Sequence, residues 1–157
     1  MHVLGMIVKV IDKELYAHLG ITPRHAHHAH HAHPPATESV NALDLSFCYR
    51  WLLLRFKRET ADFDATKRLW EAMWTCPLTR HFHLFLAAAM LVERHAQIVE
   101  GKLPLEGIVE LFTGDGARVS AERLLIDGLR CYTVFTKIAD VNSVPWLYLF
   151  NKGEQPA

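Results

Sequence analysis

The sequence predicts an all-α protein, a multi-helix array, and three observations carry that expectation. Apolar residues recur at spacings of three and four along most of the chain, the period of a helix with one buried face. Residues that start or stop helices fall between those runs: Gly20, Asp62, Pro77, Gly101, Gly114 and Ser120. Strand-like alternation is confined to Trp146, Tyr148 and Phe150, with no second run to form a hairpin, so that tail is expected to be packed or frayed rather than a strand.

Val3, Met6, Ile7, Val10, Ile11, Leu15 and Leu19 form one apolar stripe, predicting a single amphipathic helix that Gly20 closes by taking the left-handed conformation. The period then disappears. His25, His27, His28, His30, His31 and His33 place six histidines in nine residues, followed by Pro34 and Pro35, which disfavour helix. Residues 22–37 read as an exposed low-complexity loop. From Ser46 to Glu59 apolar residues surround the predicted helix rather than striping it, which places it inside a packed domain. Arg50 is the exception and needs a partner, because an unpaired buried guanidinium costs several kcal/mol. Glu71, on the next helix, is the expected one.

Asp62 or Asp64 is suited to cap a helix carrying Leu69, Trp70, Met73 and Trp74 on one face, ended by Pro77. Phe82 to about Val99 reads as a longer apolar helix closed near Gly101. Leu105, Ile108, Val109 and Phe112 mark a short helix stopping at Gly114, and Ser120 caps a last one through Phe135. No internal repeat is visible. The expected organisation is a domain over 1–138, holding the histidine loop, and a tail over 139–157.

Lysine plus arginine and aspartate plus glutamate number 17 each, so no net charge draws the chain to nucleic acid, and no nucleic-acid motif appears. The three cysteines, Cys48, Cys76 and Cys131, are far apart and form no C-x-x-C pair, which argues for buried thiols in a reducing compartment. The longest apolar run, Leu84 to Val92, is about half of a membrane span, and the start of the chain lacks the marks of a signal peptide. The histidine tract offers weak metal ligands with nothing to fix their geometry. His18, His81, His83 and His95 form no triad or metal motif, and no cofactor is implied.

Phe47-Cys-Tyr-Arg-Trp-Leu-Leu-Leu-Arg-Phe-Lys-Arg-Glu59 resembles a signature of the TBC family, activators of Rab GTPases, departing from it at Thr60 where an aromatic is usual. Asp12-Lys-Glu-Leu-Tyr-Ala-His-Leu19 is similar to that family's D-x-x-L-Y-x-H-L block. Arg68-Leu-Trp-Glu71 with Trp74-Thr75, and Phe82-His-Leu-Phe85, resemble two further blocks in the same order. The resemblance covers residues 6 to about 92, with a looser fit from 105 to 137.

The resemblance implies a helical regulator rather than an enzyme, corresponding to the carboxyl-terminal lobe of the domain. Family members lend a Rab GTPase an arginine from an I-x-x-D-x-x-R block and a glutamine from a Y-x-Q block. An arginine supplied this way is worth about 10³ to 10⁵ in rate. Both blocks precede the D-x-x-L-Y-x-H-L segment, and the eleven residues before Asp12 contain no arginine. No position inherits a catalytic role, so a truncated gene model, an alternative product or a degenerate relative is expected. Lys57 and Arg58 are the candidate partner-facing residues; Arg50, Trp51, Phe56, Glu59, Trp70, Glu71 and Trp74 are expected to be structural. The implied partners are a Rab-type GTPase and the amino-terminal lobe, at a cytoplasmic site peripheral to membranes. The alternatives are a helical interaction module without a GTPase role and a weak metal binder built on the histidine tract. Removing a lobe is also expected to leave the Val3–Leu19 stripe bare and the chain prone to associate.

Overall fold

The computed structural model describes residues 1–20, 45–114 and 117–138; the histidine tract and the tail from 139 onward lie outside them. The described chain is all-α, its elements being α1 (His2–Ile11), α2 (Lys13–His18), α3 (Tyr49–Leu53), α4 (Phe63–Thr75), α5 (Phe82–Glu93), α6 (Leu105–Thr113) and α7 (Ala121–Ile138).

The first apolar stripe is two helices, not one. Asp12 is extended (φ −144°, ψ 90°), and its carboxylate accepts the Leu15 amide at 3.0 Å. An aspartate that can satisfy an orphan amide this way competes with helix continuation, so it ends α1 and caps α2. Gly20 closes α2 at φ 63°, the left-handed value that favours glycine. Leu4, Ile7, Val8, Leu15 and Leu19 are fully buried, and α1 packs against α5 and α7. The expectation of a bare stripe is therefore corrected: the later helices of this chain cover it.

The signature segment also differs from a continuous helix. A 3-10 turn (Leu45–Cys48) leads into α3, which ends at Leu53. The Phe56 amide then donates back to Trp51 O at 2.9 Å, a six-to-one closure, while Arg55 (φ 48°) and Phe56 (φ 61°) are left-handed. This reversal tucks Phe56 into the core and moves Lys57, Arg58 and Glu59 out of a helical last turn into a loop. Nor is the segment buried on all sides: Trp51 and Phe56 are sealed, but Leu53 is 76% exposed.

Asp62 caps α4 through the Ala65 amide at 2.7 Å. Leu69 and Met73 enter the core; Trp70 is half-buried and Trp74 is 72% exposed, so the four apolar residues divide between core and surface. Most of α5 is buried, as its unbroken apolar sequence requires. It runs into a π-type turn (Ala96–Glu100) and Gly101. Helix α7, whose first turn Ser120 caps at 3.4 Å, lies along α5 and runs parallel to α4. An Arg68–Glu122 ion pair ties it near its start and Tyr132 Oη, donating to Leu78 O at 3.2 Å, farther on. Gly128 makes the α5–α7 approach: a Cβ there would stand 2.6 Å from Leu86 Cδ2.

Candidate functional site

The loop after α3, the start of α4, the end of α6 and the approach to α7 converge on a groove of about 630 Å³. Its floor is polar. Arg50 Nε donates to Glu59 Oε1 at 2.9 Å and its terminal nitrogen to Phe112 O at 3.1 Å, tying the signature segment to α6. Glu59 is 2% exposed and its backbone carbonyl accepts the Val119 amide at 2.8 Å, beside an isolated parallel bridge between Thr60 and Val119. Thr60 and Thr66 share a hydroxyl–hydroxyl bond of 2.7 Å. Trp51 meets Phe112 edge-on at 4.8 Å and Phe47 at 5.7 Å, an aromatic layer in contact with Phe112 of the groove lining.

Sequence reasoning assigned Arg50 to Glu71, and the structure corrects this. Glu71 is exposed on α4, whereas the left-handed turn at Arg55 and Phe56 folds Glu59 back onto Arg50. Two buried side-chain atoms in this region, Trp51 Nε1 and Glu59 Oε2, have no hydrogen-bond partner among the described residues.

Among the described residues four cations line the groove, Arg50, Lys57, Arg58 and Arg118, against two acids, Glu59 and Asp62. Both acids are engaged, Glu59 with Arg50 and Asp62 with the α4 amide. Lys57, Arg58 and Arg118 are exposed and form no ion pair among the described residues; Arg118 donates to Ala61 O at 3.1 Å. Asp115 and Gly116, between lining residues, lie outside the described set. Arg118 had no signal in the sequence, because only the fold carries the α6–α7 link to the loop after α3. Trp70 sits apart from the groove lining and donates its indole hydrogen to Arg55 O at 2.8 Å.

The histidines are dispersed. His95 Nδ1 lies 2.6 Å from Asp12 Oδ2, and His18 Nε2 lies 3.0 Å from Leu103 O. The His81 and His83 rings are 6.0 Å apart. No group of three metal-ligating side chains occurs among the described residues, and no described helix is long and apolar enough to cross a membrane.

Over 85 residues, 54% of this chain, the sequence is 34% identical to human TBC1 domain family member 16, of which that stretch is 11%. Over that stretch the chain is similar to a TBC-domain protein. The chain is also 26% identical over 133 residues to GTPase-activating protein gyp7 of Schizosaccharomyces pombe, covering 84% of the chain and 15% of that protein. Rab GTPase-activating protein tbc-8 of Caenorhabditis elegans is 25% identical over 125 residues, 78% of the chain and 12% of that protein. The chain thus spans well under a fifth of the length of these proteins. No family model and no solved structure matches it.

Proposed function

We propose that the chain supplies helical framework and docking surface of a Rab-activating TBC domain, and that these 157 residues by themselves do not accelerate GTP hydrolysis. The observation that carries this reading is its similarity, over 84% of its residues, to a protein named as a GTPase activator. The second half of the proposal rests on chemistry. Activation requires a cation placed against charge developing on the transferring phosphoryl group. In the D-x-x-L-Y-x-H-L block Asp12 is held by Leu15 and His95, and His18 by Leu103. The segment before Asp12 carries no arginine.

In this reading a Rab-type GTPase meets the protein at Lys57 and Arg58, and the amino-terminal lobe of a TBC domain completes the framework. The protein works in the cytoplasm, reaching membranes through its GTPase. The test is twofold: capture of the chain by a panel of GTP-loaded Rab proteins, and phosphate release in single turnover. Capture without faster release is expected. Faster release with any small GTPase overturns the inactive reading, and no capture by any Rab leaves a helical interaction module without a GTPase role.

A further inference from the structure

We propose that the groove lined by the loop after α3, the start of α4, the end of α6 and Ala117–Arg118 is a docking site for an acidic peptide segment of a partner protein. This deepens the partner-facing role of Lys57 and Arg58, and rests on that reading for a protein coming to this face.

Three observations converge. The surface is concave, about 630 Å³, enough to seat several side chains rather than a single ion. Among its described lining residues cations outnumber acids, in a chain whose formal charge is zero, and both of those acids are held by internal partners. Lys57, Arg58 and Arg118 are therefore available to outside carboxylates, at a rim where charge governs encounter and register. Phe63, 55% exposed, gives the groove an apolar wall. A lipid surface suits it less well. Lipid headgroups present dense negative charge to flat basic patches, whereas Asp62 and Glu59 stand among these cations and the cations line a recess.

The test is fluorescence anisotropy of the full chain with a labelled Glu/Asp-rich peptide, a Lys-rich peptide of equal length, and vesicles of anionic phospholipid. The acidic peptide alone should bind. Lys57→Glu/Arg58→Glu should weaken it by at least about tenfold, and the milder Lys57→Gln/Arg58→Gln by less, with helical circular dichroism retained. Lys137→Glu, on the far end of α7, should leave binding unchanged. Raising ionic strength from about 0.1 M to 1 M, which shortens the screening length from about 10 to 3 Å, should abolish it. Equal binding to all variants, or no binding of the acidic peptide, overturns the proposal. So does Lys57- and Arg58-dependent binding to vesicles without peptide binding. Capture by a Rab protein that survives either failure leaves the GTPase reading standing.

Discussion

Arg50 shows how far one residue can be read in isolation. A guanidinium amid apolar neighbours announces a partner, and that need was legible in the sequence. The partner's identity was not, because it depends on two left-handed residues that carry no glycine to mark them. Arg55 and Phe56 turn the chain back, and Glu59 rather than Glu71 reaches Arg50. Arg50→Met would leave the Glu59 carboxylate buried and unpaired. Because the Arg50 side chain is 32% exposed, the expected loss is about 2–3 kcal/mol rather than the upper range for a sealed pair. Urea midpoints should show it, and a double-mutant cycle should find coupling between positions 50 and 59 and none between 50 and 71. The groove was half legible for the same reason. Lys57 and Arg58 stood out as a charge run, while Arg118 joins them through the fold, by the bond to Ala61 and the Val119–Glu59 contact.

Helices α4, α6 and α7 were readable because caps and stops agree with the apolar period: Asp62, Gly114 and Ser120 each sit where an end is needed. Helix α5, read as running to about Val99, instead stops at Glu93 and leads into a π-type turn. Where a side chain competes with the backbone, periodicity misleads. Asp12 splits one predicted helix into α1 and α2 without disturbing the stripe, since Leu15 and Leu19 still reach the core. Helix pairing can be tested at Gly128. Alanine there gains about 1 kcal/mol of helix propensity but drives a methyl against fully buried Leu86, an overpacking cost of about 1–3 kcal/mol. Net destabilisation by about 1 kcal/mol is expected in thermal melts, with the smaller Leu86→Val restoring part of it in the double variant.

For the molecule as a whole, burial sets how it responds to pH and to thiol reagents. Burial, reinforced by Arg55 and His81, holds the His83 imidazole down at about 4. Its unfolded value is about 6.5, so between these two the unfolded chain binds a proton the folded chain does not, and stability falls as pH drops through that window. His83→Gln should flatten the fall in urea midpoint between pH 7 and 5. The thiols offer a second reading of compactness. Burial raises the Cys48 thiol well above its ordinary range and pushes Cys131, which also feels Asp127, up to about 11. Cys76 is half-buried at the end of α4. Native alkylation near neutral pH should label Cys76 first, with Cys48 and Cys131 reacting only after denaturation. The same contrast of inside and outside is built into the indoles. Trp51 is sealed against Phe112 of the groove lining, whereas Trp74 is 72% exposed. A variant retaining just these two would emit in two colours, and a water-borne quencher would darken the redder one. The remaining blue light would come from the chromophore packed on the groove lining, giving an optical report on whether that recess is filled.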